Sequence, residues 1–390
     1  VSDVPLRPAG PTTASRVGDA DRLARVILSC AVEPGDGTTS SMVRQVGAVR
    51  ALEQLRVSRS DTGVAERLAE RLGEVEPERE LDQAARCGIR FLVPGDPEWP
   101  DGLDRLDDTI TLDGFGGAPP GLWVKGPMPL TELACSVAVV GSRAASFYGV
   151  EMTRGVCADL AHARVPVVSG GALGIDFVAH DSTLAAAGTT VAVLACGVDR
   201  VYPAQNRPLI QHLAAEHAVV SEQPPGSTPT RPRFLARNRL IAALTTGTVL
   251  VEAALRSGAL NTVGWAEGLG RQVMCVPGPV TSVTSQGVNQ LLRDGRGTVV
   301  TSGREVLELV GRSGTHLLEP PRGETRPRDD LTPTEQQVVE WVPVSRPAEV
   351  DEISVRCGLH VRTTDGALRR LRAKGLVRLD ERGWRLAPDA

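Results

Sequence analysis

Seven short, almost wholly apolar runs recur between residues 136 and 301. They constrain the fold more than any other feature of the chain. The runs are 136–140, 165–169, 190–195, 218–221, 248–252, 272–276 and 297–301. Each is followed by a stretch of helical periodicity, as at 149–163 and 261–269. A strand that alternates apolar and polar residues has one wet face. A strand that is apolar throughout is covered on both faces, as parallel βαβ units require. The expected fold class is therefore α/β, with an extended Rossmann-type, doubly wound parallel sheet at its centre.

Ligands of such sheets bind outside the carboxyl ends of the strands, and the polar signals collect there. Gly141-Ser142-Arg143 follows the first run, and Ser169-Gly170-Gly171 with Gly174-Ile175-Asp176 the second. Tyr202-Pro203 with Asn206 follows the third, and Glu252 through Ser257-Gly258 the fifth. A Gly-Ser-Arg that opens a helix offers backbone N–H groups, a hydroxyl and a guanidinium to a phosphate. A plain strand-to-helix turn uses the same residues. Ser169-Gly170-Gly171 repeats the arrangement with side chains small enough for a phosphate to approach the backbone. No G-x-G-x-x-G follows the first run, which disfavours a redox nucleotide.

Arg231, Arg233, Arg237 and Arg239 lie within nine residues, with no acid among them and Phe234 at the centre. Pro224, Pro225, Pro229 and Pro232 make the approach extended. Interleaved cations and a ring suit single-stranded nucleic acid, where guanidinium groups take phosphates and the ring takes a base. The alternative is a solvated basic helix end with its Phe in the core. Asp176 and His180, one turn apart, read as a helix cap and a packed histidine rather than an acid–base pair. Glu252 reads as an acceptor for its neighbouring loop.

Composition removes several functional classes. Lys125 and Lys374 are the only lysines, and neither lies in Gly-Lys-Ser/Thr, so a Walker-type phosphate loop is excluded. Aromatics are 3% of the chain, so few rings are available to stack on bases. With a formal charge of −4, nucleic acid would be held by a local patch and not by the whole surface. The seven scattered cysteines include no C-x-x-C and the six histidines no H-E-x-x-H. Neither a disulfide framework nor a metal centre is expected, no cofactor is implied, and a cytoplasmic setting fits best. No apolar run reaches the roughly 20 residues of a membrane span, so no membrane contact is expected.

Read for organisation, residues 1–20 are a disordered N-terminus without the apolar core of a signal peptide. Residues 21–86 form a helical N-terminal module and 87–312 the extended Rossmann domain. The aperiodic stretch 313–331 is a linker, and 332–390 a small last domain. There, helical patterns at 334–341, 348–356 and 362–374 precede two short runs flanking Asp380-Glu381-Arg382-Gly383, a hairpin turn. Three helices and a hairpin make a C-terminal winged helix. Residues 362–378 carry five Arg and one Lys against one Asp, so the third helix is a second candidate for DNA. Protein contact is its alternative.

These residues resemble the DNA-processing protein A family (DprA, also called Smf). The resemblance rests on Gly141-Ser142-Arg143 with Tyr148-Gly149, then Ser169-Gly170-x-Ala172-x-Gly174-Ile175-Asp176 with His180. Tyr202-Pro203-x-x-Asn206, Ser221-Glu222, Phe234-x-x-Arg237-Asn238-Arg239, Glu252 with Ser257-Gly258, and Pro277-Gly278 follow in the family's order. It spans about Cys87 to Gly311, with Leu122–Gly126 before the first run. It implies a dimeric protein that binds single-stranded DNA and loads the RecA recombinase in natural transformation. Gly141, Ser142, Arg143, Ser169, Gly170, Gly171, Arg231, Arg237, Asn238 and Arg239 would line the strand, with Phe234 stacking on a base. Two departures stand out: Leu235 where the family usually has proline, and Arg231 where it commonly has lysine. The rival reading is an enzyme, a phosphoribohydrolase of the lysine-decarboxylase-like group. That group's P-G-G-x-G-T-x-x-E motif stops here at Pro277-Gly278.

Overall fold

The computed structural model describes residues 18–57, 64–109, 111–312, 314–319 and 328–388. The expected disordered N-terminus lies almost wholly outside them, as does part of the expected linker. The chain divides into two compact units, one up to Leu318 and one from Glu319.

The first unit is built on one sheet of nine strands. These are β1 (Ile89–Leu92), β2 (Leu122–Lys125), β3 (Val137–Val140), β4 (Val167–Ser169), β5 (Thr190–Val193), β6 (Ala218–Ser221), β7 (Gly247–Leu250), β8 (Gln272–Cys275) and β9 (Thr298–Val299). Their spatial order is β1-β2-β6-β5-β4-β3-β7-β8-β9. All seven apolar runs became strands of this sheet, and from β6 across to β9 every pairing is parallel. Residue alternation explains why the central ones had to be apolar throughout. Val137 and Val139 pack on one side with Val156, Leu160 and Ile175. Ala138 and Val140 pack on the other with Leu240, Ile241 and Trp265.

The chain leaves β3 in one direction for β4, β5 and β6, then returns to the other side of β3 for β7. That reversal opens a crevice between the carboxyl ends of β3 and β7, the place where open α/β sheets bind ligands. β1 and β2 extend the opposite edge antiparallel through β6. The helical stretch that starts with helix Asp19–Ala31 packs within the same unit as the sheet. Trp123 of β2 is fully buried, tilted against Phe91 at 4.5 Å, and its Nε1 donates to Ser29 Oγ at 2.9 Å. Arg22 pairs with Asp96 at 2.5 Å beneath the same helix.

In the second unit, helices Pro333–Trp341, Val350–Cys357 and Val361–Ala373 precede an antiparallel hairpin of β10 (Val377–Asp380) and β11 (Gly383–Leu386). Leu368 and Leu371 face inward with Val338, Ile353 and Trp384. Much of the charge on the third helix is already neutralised. Arg370 and Lys374 grip Glu335 at 2.8 and 2.9 Å, and Arg369 pairs with Asp365 at 2.9 Å. The Lys374 hydrogen bond and the Thr332 backbone amide hold the Glu335 carboxyl at about 2, well below its ordinary 4.5. A depressed carboxylate stabilises the fold above its unfolded pKa, and that contribution disappears as the pH falls through the folded value. The transition of this unit should therefore weaken between pH 4.5 and about 2. Calorimetry of the full chain checks it: Glu335→Gln should lower this transition at pH 7 and flatten its acid slope. An unchanged slope would refute the assignment.

Candidate nucleic-acid interface

Three chain segments converge on the crevice at the reversal point. The first is the loop after β3, Gly141-Ser142-Arg143. Gly141 lies too close to Ile175 and the Glu252 carbonyl to admit a Cβ. Ser142 turns its hydroxyl onto the Ala144 backbone, and its carbonyl accepts the Ile175 N–H at 3.0 Å. That bond ties the loop to the turn after β4, where Gly174 adopts φ 79°, open to glycine and strained for other residues. Arg143 is left exposed.

The second segment is helix Arg231–Ala243, which begins with Pro232 in its first turn. Its faces separate the four arginines. Arg231 is exposed, and no ion pair holds it among the described residues. Arg233 forms a forked pair with Glu33, both contacts at 2.9 Å. Phe234 is half-buried, with Arg143 over its ring at 5.0 Å, Arg237 at 6.0 Å and Tyr202 tilted against it at 5.7 Å. The ring is therefore part of the crevice wall and not of the core. Arg237 lies beneath it, 6% exposed, with Nη1 donating to the Val193 carbonyl at 2.6 Å. Its Nε finds no partner among the described residues. Burial pulls its pKa down to about 10, opposed by the Asp176 carboxylate, so it remains a cation at neutral pH. Burial in turn pushes the Asp176 carboxyl up.

The third segment follows β7. Glu252 is buried and accepts from Ser146 N at 2.9 Å, Ser146 Oγ at 2.5 Å and Thr284 Oγ1 at 3.0 Å. Its acceptor role is the one its position suggested. Beyond it, Leu255 and Arg256 stand exposed on the crevice rim. Asn238 donates to the Gly258 carbonyl and to Asn261 Oδ1, and so fastens this rim to the helix. Together the segments enclose an open cavity of about 1170 Å³. Five arginines line it (Arg143, Arg231, Arg237, Arg256 and Arg296) against two acids, Asp113 and Asp176.

Several expected ligands do not reach this cavity. Arg239 is fully buried and spends both terminal nitrogens on Glu222, each at 2.8 Å, so it cannot meet a phosphate. Ser169 is buried with its hydroxyl donating to the Val139 carbonyl at 2.7 Å. Gly170 is small because the Arg237 guanidinium occupies the space a Cβ would need. Gly171 is enclosed by Ile210 and Leu194, and its carbonyl accepts from Asn206. These four residues build the site from beneath rather than touching a ligand. His180 is packed, as expected, with Nδ1 on Thr190 Oγ1 and burial lowering its pKa to about 3. Tyr202, Leu255 and Arg256 belong to the wall although sequence reasoning assigned them no ligand contact. Tyr202 stood out only as part of Tyr202-Pro203-x-x-Asn206, and Leu255 and Arg256 only as part of the stretch from Glu252 to Gly258.

Residues 90–311 match the family described as DNA recombination-mediator protein A. A putative DNA processing protein DprA of Mycobacterium tuberculosis is 40% identical over 386 residues, covering 94% of this chain and 95% of that protein. DNA processing protein DprA of Streptococcus pneumoniae is 41% identical over 204 residues, covering 52% of this chain and 71% of that protein. The X-ray structure of the S. pneumoniae protein superposes with a TM-score of 0.63 at 29% identity, over 76% of this chain and 99% of that one. A Helicobacter pylori DNA processing protein A structure, described for its unique single-stranded DNA binding mode, gives 0.50 at 27% identity, over 56% of this chain and 94% of that one. With the family matched across the whole sheet and its relatives aligned along most of the chain, this protein belongs to the DNA recombination-mediator protein A (DprA/Smf) family.

Proposed function

We propose that this chain is a recombination mediator that binds single-stranded DNA in the crevice between β3 and β7. As a homodimer it protects incoming strands and hands them to the RecA recombinase during natural transformation. The observation that carries the DNA reading is the half-exposed Phe234 ring flanked by Arg143 and Arg237 in a cavity lined by five arginines against two acids. An unstacked base meets the ring while neighbouring phosphates meet the guanidinium groups, an arrangement a paired duplex cannot enter. The contacting residues are Ser142, Arg143, Arg231, Phe234 and Arg237, with Gly141 and Asn238 setting the loops. The single-stranded DNA binding mode described for the H. pylori relative supports the same class of ligand.

Gel shifts with matched single and double strands test this directly. Single strands should bind more tightly, with little sequence selection and a steep loss of affinity with salt. Removing residues 332–390 should leave that affinity largely intact. A preference for duplex refutes the reading, and loss of most affinity on truncation moves the site to the C-terminal helices.

A further inference from the structure

The crevice wall holds a second ring that the proposed contacts leave unused. Tyr202 is 49% exposed and lines the cavity, tilted against Phe234 with ring centroids 5.7 Å apart and 53° between the planes. Its loop follows β5 and is pinned on both sides. Asn206 Nδ2 donates to the Gly171 and Ala172 carbonyls at 3.0 Å, which ties the loop to the turn after β4. Asp199 accepts the Gly226 N–H at 2.8 Å, which ties it to the approach of helix Arg231–Ala243. The chain has two tyrosines, and their hydroxyls behave differently. Tyr148 donates to the Pro277 carbonyl at 2.5 Å and anchors its helix, whereas the Tyr202 hydroxyl has no partner among the described residues. The fold thus fixes Tyr202 through its backbone and leaves half of the side chain open beside Phe234.

We propose that Tyr202 forms a second stacking subsite beside the first at Phe234, so that the crevice seats two successive bases of one strand and favours strands whose bases part easily. The inference rests on the proposed function and deepens it. Room is sufficient: about 1170 Å³ exceeds the roughly 300–1,000 Å³ of a small-molecule pocket. The angle between the rings is the decisive feature. Bases lying flat on planes 53° apart are splayed from one another and cannot stay stacked together. Only a strand free to rotate about its backbone reaches that geometry. Thymines, which stack weakly on their neighbours, lose less in reaching it than adenines do. The charges nearby suit a strand as well. Arg143 and Arg231 line the same cavity and can take the flanking phosphates. Of the carboxylates close to Tyr202, Asp176 is buried within the field of Arg237. Asp199 is exposed, but the Gly226 N–H holds both its oxygens and exposed Arg200 follows it.

Oligothymidylates carrying 5-iodouracil, photocrosslinked to the full chain and mapped by mass spectrometry, report which rings touch bases. Crosslinks should fall on both Phe234 and Tyr202. Tyr202→Ala should weaken oligothymidylate binding about tenfold with an unchanged salt slope, the share of one stacked base, and Tyr202→Phe should restore it. Wild type should prefer oligothymidylate to oligoadenylate several-fold, and Tyr202→Ala should narrow that preference. Tyr202→Leu keeps an apolar brace against Phe234 but offers no flat face, so it should bind as poorly as Tyr202→Ala. Wild-type affinity for Tyr202→Leu, or crosslinks at Phe234 alone, would make Tyr202 a brace and overturn the second subsite while the first stands. If crosslinks miss both rings and neither Phe234→Ala nor Tyr202→Ala weakens binding, the parent reading fails as well. Should Tyr202→Ala melt early, crosslinking of the wild-type chain still decides.

Discussion

Glu222→Ala should destabilise the α/β unit by about 3–5 kcal/mol, because it strands a charge in the interior. Arg239 is wholly inaccessible, Glu222 nearly so, and their two parallel contacts of 2.8 Å consume both carboxylate oxygens. Removing the carboxylate leaves the guanidinium with the Ala236 carbonyl at 3.4 Å and no counter-charge in reach among the described residues. The Glu222 backbone carbonyl also accepts from Ser29, whose hydroxyl takes the Trp123 indole, so the pair lies where β2, helix Asp19–Ala31 and helix Arg231–Ala243 meet. Urea unfolding followed through the buried Trp123 should report the loss. Replacing both partners, Glu222→Leu with Arg239→Met, should be far milder, because desolvating two charges offsets most of what their attraction returns. A single variant within about 1 kcal/mol of wild type would mean that Arg239 can reach water, and its exclusion from the DNA site would fall with it.

The contrast between Arg239 and Arg143 shows what a linear sequence conveys and what it does not. Four arginines around a phenylalanine signalled anion binding, but helical geometry decides which side chains face the crevice. Positions 231 and 234 share one face and 237 follows one turn later, whereas 239 points to the opposite side and into the core. The carboxylate that neutralises Arg239 lies 17 residues upstream at the end of β6, a pairing no local pattern encodes. Ser169 illustrates the same limit. Its small polar side chain suggested a phosphate contact, yet the close packing of β3 and β4 turns the hydroxyl onto Val139.

The parallel strands were legible for the opposite reason. Burial on both faces forces a continuous apolar run, and the run survives in the sequence as a local signal. β1 and β2 pair antiparallel at the edge of the sheet, and each carries a charge, Arg90 and Lys125, that interrupts the apolar run.

The last expected result separates charge from stacking within the first subsite. Phe234→Ala should weaken single-strand binding by about 1–3 kcal/mol and leave the salt slope nearly unchanged. A ring holds a base without releasing a counterion. Arg143→Ala should also weaken binding, but with the slope shallower by about 0.7, because a guanidinium on a phosphate releases one. The geometry adds a coupling between them. Arg143 lies 5.0 Å over the ring, so removing either partner also loosens the other, by about 0.5–1 kcal/mol at an exposed site. The double variant should therefore lose less than the two single losses added together. Because Phe234 is only half-buried, its truncation should cost less stability than the roughly 3–5 kcal/mol of a core phenylalanine. Fluorescence-anisotropy titrations at several salt concentrations, with melting curves for each variant, measure all of these. If Phe234→Ala binds as wild type but unfolds early, the ring serves packing and the strand takes another path across the crevice.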